Sequence, residues 1–303
     1  MIDGRWLAIS SNRLDWPASV LRTGRGCDGL MFSPEIKTVA RAVWLTILMG
    51  LLSVVCAAGV TAAGDSKPVL AQDALIEKIL RESAGSRSPG ERITSISRHF
   101  LDTPYVANSL VGSSAETEQL VLRLDGFDCF TLLDTVEALR RSDAADEFPV
   151  QMVQVRYRNG EVSYANRRHF FSDWVSDHHS PIRDVTANVS QGRAVYVHKN
   201  LNARANGALW LPEIDVVPRT IAYIPASELD ETLLVALEPG DYVGIFSQRP
   251  GLDVSHTGLI VKAGATVMLR HASSRDAVQR VLDEDLVTYM YGKTGLIVYR
   301  VAQ

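Results

Sequence analysis

The chain has 303 residues, 46% hydrophobic and 22% charged, with a formal net charge of −4. This balance supports a sizeable core and excludes wholesale disorder. No basic tract, repeat or low-complexity block occurs, so no nucleic-acid partner is expected.

The N-terminus shows the main shift in composition. No residue from Ala42 to Gly64 is charged, and Leu, Ile, Val and Ala dominate Val43 to Val60. Lys37 and Arg41 precede the run, and Thr61-Ala62-Ala63-Gly64 closes it. A basic flank, an apolar centre and a small-residue end describe a secretory signal over 31–63, hence a periplasmic or secreted protein. The alternative is a membrane anchor, since the run approaches the ~20 residues that span a bilayer. Met31-Phe32-Ser33-Pro34 reads as a natural start, which makes residues 1–30 a gene-model extension. Residues 64–303 are then expected to form one domain, a monomer that meets the membrane only through an uncleaved signal. Cys27 and Cys56 fall outside that part, which leaves Cys129 alone. A lone exported cysteine has no internal disulfide partner.

After a linker over 65–72, apolar spacing predicts a helix from Asp73 to Ser83. Ser88-Pro89-Gly90-Glu91 has the form of a capping box and opens a second helix, stopped near Asp102 by Pro104. Val121 to Leu124 suggests a short strand, and Cys129 to Arg140 a helix. From Met152 the period becomes two, and Asn159-Gly160 signals a hairpin that returns through Val162 and Tyr164. A short helix is expected over His169–Ser176, with further helices over Ser227–Leu237 and Asp283–Tyr291. Strands are expected over 185–196, 220–224, 242–246, 254–261, 267–269 and 296–301. Helices first and strands later indicate an α+β fold with an antiparallel sheet.

Asp128 is placed to cap the helix that Cys129 opens. A helix N-terminus favours thiolate over thiol, whereas the Asp128 charge opposes it. A cysteine nucleophile needs a base, and the base needs an orienting partner. His256 lies in a strand-like run, Lys262-Ala263-Gly264-Ala265 forms a turn, and His271 lies on the return. A turn centred between Ala263 and Gly264 sets His256 opposite His271, on one face of the ribbon.

At these residues the sequence resembles the NlpC-type, papain-like superfamily of cell-wall peptidases. The carrying segments are Pro104-Tyr105, Asp128-Cys129, His256-Thr257-Gly258 and His271-Ala272. A narrower resemblance, to the N-acetylmuramoyl-L-alanine amidase-like family, rests on longer stretches. These are Phe100 to Asn108, Arg156 to Gly160, Arg168 to Trp174, Gly251 to His256 and His271 to Ser274. One departure is that Phe130 and Asp134 stand where that family has Thr and Glu; Thr131 lies one place along.

The resemblance implies a papain-like core, with N-terminal helices packed on an antiparallel sheet. It implies Cys129 as nucleophile, His256 as base and His271 as orienting member, with no metal or cofactor. The reaction implied is hydrolysis of the amide between the lactyl group of muramic acid and L-alanine, in peptidoglycan or muropeptides. Tyr105 is expected beside the site, with Asp128, Tyr164, Arg167, Arg168 and Trp174 as further substrate contacts, and Trp210 as a possible cleft wall. Three rival readings remain. One is an endopeptidase cutting the stem peptide between D-glutamate and the diamino acid. The second is a zinc amidase using His169, His178 or His198, which no zincin-like spacing supports. The third is a non-catalytic wall-binding module.

Overall fold

In the computed structural model, which describes residues 66–177 and 180–302, helices precede the sheet. The expected extension, the signal segment and His178-His179 lie outside the described residues.

Helix α1 (Ser66–Ser83) takes in most of the expected linker and buries Ile76, Ile79 and Leu80 along one stripe. Helix α2 (Pro89–Arg98) starts where the Ser88 hydroxyl accepts the Glu91 N–H at 3.2 Å. The Glu91 carboxylate does not return to Ser88; it accepts the Arg87 N–H at 2.9 Å. Helix α3 (Cys129–Arg141) is buried continuously from Cys129 to Leu139.

Helix α4 (Phe148–Arg156) overturns the strand expected from Met152. Val153, Val155 and Tyr157 do alternate, but Phe148, Met152, Val155 and Arg156 form a stripe of helical period, and these are the residues α4 buries. Pro149 in the first turn suits a helix start. Asn159 and Gly160 still turn the chain, with φ of 57° and 66°, and an isolated bridge then joins Tyr157 to Arg167.

The strands are β1 (Ile182–Asp184), β2 (Val195–Leu201), β3 (Val217–Pro225), β4 (Tyr242–Phe246), β5 (Val254–Ala263), β6 (Thr266–Ser273), β7 (Arg280–Asp285) and β8 (Gly295–Val301). They pair antiparallel in the order β2-β3-β8-β4-β5-β6-β7, and β1 also joins β8. Three short helices, α5 (Thr186–Ser190), α6 (Glu231–Ala236) and α7 (Leu286–Met290), lie between strands.

Several expected elements are corrected. Val121–Leu124 forms no strand, and α5 interrupts the one expected over 185–196. His169–Ser176 contains only a 3-10 turn, Phe171–Trp174. The helix expected from Ser227 is shortened to α6, which Asp230 caps by accepting the Leu233 N–H at 3.0 Å. The helix expected over 283–291 divides into the end of β7 and α7.

Both faces of the central strands are covered. Tyr242, Phe246, Ile297 and Tyr299 join the core beneath α1–α4, while Val243, Ile245, Leu296 and Val298 join a second core with α6 and α7. Such strands read as continuous apolar runs, with no polar alternation to mark an outer face. The observed class is α+β, with helices on an antiparallel sheet.

Candidate active site

Asp128 sets the tip of α3. Its Oδ1 accepts the N–H groups of Phe130 at 3.0 Å and Thr131 at 2.7 Å. The Thr131 hydroxyl accepts the Asp128 N–H at 2.9 Å, which closes a reciprocal box. Thr131 therefore has a structural task at the helix start. The cap engages Phe130 and Thr131 and leaves the Cys129 N–H out of its bonds.

Cys129 is 2% exposed. Burial pushes its thiol up to about 12, the Asp128 charge pushes the same way, and hydrogen bonds with Thr257 oppose both. This reverses the expectation that the helix tip alone would favour thiolate. Desolvation of a fully buried sulfur outweighs a partial charge at a helix end.

Beside the sulfur, the Tyr105 phenol is raised by burial and then by the charges of Cys129 and Asp128. The Tyr105 N–H donates to the Gln279 carbonyl at 2.9 Å, and the Phe127 N–H donates to the Pro104 carbonyl at 3.1 Å. The Pro104-Tyr105 segment thus ties the start of β7 to the approach to Cys129.

The two histidines meet. His256 Nε2 lies 2.8 Å from His271 Nδ1, with the rings nearly perpendicular at 85°. The register differs from the expected one by two residues. Ala263 pairs with Thr266 and Leu259 with Arg270, so the turn is Gly264-Ala265, with Gly264 at φ 63°. A slip of two preserves the face on which a side chain stands, whereas a slip of one reverses it. The imidazoles therefore meet as diagonal neighbours.

The residues between them explain the spacing. Thr257 turns toward α3 and donates its hydroxyl to the Cys129 carbonyl at 2.8 Å. At Gly258 a Cβ would lie 2.8 Å from the Arg270 carbonyl oxygen and 3.1 Å from the His271 Cβ. The His-x-Gly unit thus supplies an imidazole, an anchor for the cysteine backbone and room for the second imidazole.

Four residues that sequence reasoning missed complete the cluster. Glu284 on β7 holds its Oε2 at 2.7 Å from His271 Nε2. The same oxygen accepts Arg275 Nη2 at 2.5 Å. Tyr289 on α7 packs 6.0 Å from the His256 ring and 5.0 Å from the His271 ring, and its phenol is within electrostatic reach of Cys129. Lys293 lies over the Tyr289 ring at 5.5 Å. Burial drives His256 well below the usual imidazole range, and the charges of His271, Lys293 and Arg275 add to this. His256 is thus held neutral, with Nδ1 left outside the His271 contact.

The other expected substrate contacts are engaged in packing and hydrogen bonds of their own. Arg167 is buried in an ion pair with Glu118 and also donates to the Gly112 carbonyl at 2.9 Å. Arg168 Nη1 donates to the carbonyls of Gln154, Val155 and Tyr157. Trp174 packs among Phe130, Phe171 and Tyr242. Tyr164 stacks edge-on with His169, whose Nε2 lies 2.7 Å from the Tyr164 carbonyl. Trp210 donates to the Pro250 carbonyl at 2.8 Å and carries Arg204 on its face. Asp134 pairs with Arg156 at 2.9 Å.

The Phe170–Trp174 stretch also works as scaffold. Asp253 Oδ2 accepts the N–H and the hydroxyl of Ser172, both at 2.7 Å, which pins the entry to β5. Lys199 donates to the carbonyls of Ser247, Arg249 and Leu252 in the same loop. Among the described residues no three His, Cys, Asp or Glu gather as a metal-ligand set. His169 is buried, and His198 lies 2.8 Å from the Thr220 hydroxyl on the neighbouring strand.

The architecture is shared with solved structures. An N-acetylmuramoyl-L-alanine amidase from Bacteroides uniformis ATCC 8492 is 25% identical, with a TM-score of 0.60 over 71% of this chain and 99% of that one. A Legionella pneumophila protein is 22% identical, with a TM-score of 0.64 over 78% and 96%, a likeness of fold alone. A Bacteroides fragilis protein provisionally described as a xylanase is 25% identical, with a TM-score of 0.56 over 67% and 98%. No curated protein matches the sequence. Fold and neighbours together define an α+β protein of the amidase-like class. More particularly, the family model for N-acetylmuramoyl-L-alanine amidase-like proteins matches residues 95–296, and the chain belongs to that family.

Proposed function

We propose that the protein is an exported cysteine amidase that cleaves the bond between muramic acid and L-alanine in peptidoglycan or its fragments. The observation that carries this reading is the His256–His271 pair, 2.8 Å apart, on a ribbon whose Thr257 is bonded to the backbone of a helix-tip cysteine. The arrangement of a cysteine-led helix against a histidine ribbon is what the NlpC-type, papain-like resemblance calls for.

At rest both reacting groups are neutral, since the thiol is raised and His256 is lowered. Attack is therefore base-assisted. As the sulfur bonds to the lactyl carbonyl carbon, the thiol proton passes to His256 Nδ1. This transfer belongs to the substrate complex, because hydrogen bonds at an empty site often tighten only when substrate binds. The imidazolium then protonates the leaving amine of L-alanine, and a muramoyl thioester remains on Cys129. Water, activated by His256, hydrolyses that thioester and restores the thiol. The Cys129 N–H is the backbone donor placed for the oxyanion, and the Tyr105 phenol stays protonated and able to join it.

A glycosidase would need two carboxyl groups flanking a sugar bond. Here Asp128 is committed to the helix cap and Glu284 to His271 and Arg275.

The test is incubation of the mature protein with defined muropeptides and identification of the products by mass. Free muramoyl sugar plus an intact stem peptide is expected, and Cys129→Ala is expected to reduce the rate by at least about 10³-fold. A shortened stem peptide would instead establish endopeptidase cleavage. Full activity in Cys129→Ala would end the cysteine mechanism.

A further inference from the structure

Beyond the three residues of the proposed mechanism, the cluster contains a carboxylate that touches neither Cys129 nor His256. Glu284 is opposite Leu269 on the β6–β7 pair, and His271 is opposite Leu282, so Glu284 and His271 are diagonal neighbours on one face. The 2.7 Å contact joins Glu284 Oε2 to His271 Nε2. Arg275 fixes the same oxygen from the turn after β6, and its own Nε is 3.3 Å from the Ser273 hydroxyl.

With a neutral His271, the chain of contacts has a single consistent set of protons. The hydrogen bond from His271, together with that from Arg275, holds the Glu284 carboxyl at about 2, so at neutral pH it is ionised. An ionised carboxylate only accepts hydrogen bonds. His271 Nε2 must then carry hydrogen, and in a neutral ring Nδ1 is bare. A bare His271 Nδ1 must accept, so His256 Nε2 donates across the 2.8 Å contact. Neutral His256 is thereby left with its lone pair on Nδ1. Without Glu284 the opposite set is equally consistent, and it places hydrogen on His256 Nδ1.

We infer that Glu284 is a positioning residue that fixes the tautomers of both imidazoles through His271, and so keeps His256 Nδ1 available as the base. Its catalytic consequence rests on the proposed amidase reading; its effect on tautomers does not.

Removal of the acceptor is the informative change. Glu284→Ala leaves His271 Nε2 without its acceptor, so the opposite proton order, with hydrogen on His256 Nδ1, becomes populated. Glu284→Gln is the conservative control. Arg275 is a donor only and contacts the same oxygen as His271, so the amide oxygen takes both bonds and the order is kept. The experiment is ¹⁵N spectroscopy of the imidazole nitrogens in the wild type and both variants at neutral pH, alongside kcat and KM on a muropeptide.

The expected result is Nε2-protonated His256 in the wild type and in Glu284→Gln, and a population of Nδ1-protonated His256 in Glu284→Ala. With it, kcat of Glu284→Ala should fall by about tenfold or more at little changed KM, because only the fraction with a bare Nδ1 reacts, and Glu284→Gln should restore it. Nδ1-protonated His256 in the wild type, or an unchanged tautomer in Glu284→Ala, would overturn the inference. Should Glu284→Ala fail to fold, Glu284→Leu, which also lacks an acceptor, decides it together with the wild-type spectrum. Inactivity of all forms on every muropeptide would count against the functional reading alone, because the spectra need no substrate.

Discussion

Cys129 combines two opposing influences in one residue. It opens a capped helix, where the backbone favours negative charge, yet its sulfur is buried beside Asp128, and burial raises the thiol to about 12. The sign of its pH dependence follows. A raised thiol and a lowered His256 both favour the neutral thiol–imidazole pair at neutral pH, and the thiolate fraction grows as pH increases toward 12. Alkylation of Cys129 by iodoacetamide in the free protein is therefore expected to accelerate about tenfold per pH unit above neutrality. A rate plateau in mildly acidic to neutral solution would reveal a preformed ion pair and contradict this. The three central residues were legible in the sequence for physical reasons: a lone cysteine after a capping Asp, and two histidines in reach across a short turn. Glu284 was not, because Asp283–Tyr291 has helical spacing; only its extended backbone in β7 brings Glu284 beside His271.

The ribbon of β5 and β6 is the element that carries the site. Its turn lies one residue later than turn chemistry suggested, because Gly264 takes the left-handed position and Ala263 pairs with Thr266. Each residue by which the turn moves shifts the register by two, so the imidazoles keep a common face. Gly258 is the tightest point. A methyl there meets the Arg270 carbonyl and the His271 Cβ, neither of which can swing away. Gly258→Ala is expected to cost about 1–3 kcal/mol in denaturant unfolding, as overpacking does, and to lower kcat by moving the rings apart. Unchanged stability and turnover would show that the ribbon has slack. Helix α4 teaches a complementary lesson. Alternating Val153, Val155 and Tyr157 imitated a strand, but burial along α3 selected the 3.6-residue stripe instead.

At the scale of the whole molecule, Arg167, expected as a substrate contact, is bonded into the scaffold. The Glu118 carboxylate takes both Arg167 and the Tyr157 hydroxyl, the latter at 2.7 Å, and joins the loop near Gly112 to the turn after α4. Removing one partner of a buried pair strands the other charge. Arg167→Ala should therefore destabilise by ~3–5 kcal/mol in a denaturant titration, with KM of the folded protein little changed. A raised KM at undiminished stability would return Arg167 to the substrate. The α+β class was legible because helical and strand periods separate along the chain. The sheet order was not, because β8 from the C-terminus inserts between β3 and β4 and no local signal encodes that pairing.

The central claim, that the Cys129 sulfur takes the acyl group of a muramoyl amide, is tested most directly by trapping that acyl group. Protein in excess over a defined muropeptide would be quenched in acid within the first turnover and digested, and the peptide containing Cys129 weighed. The account predicts a thioester whose added mass is that of the muramoyl sugar alone, with the stem peptide released intact. A Cys129 peptide that stays unmodified while the muropeptide is consumed would contradict it.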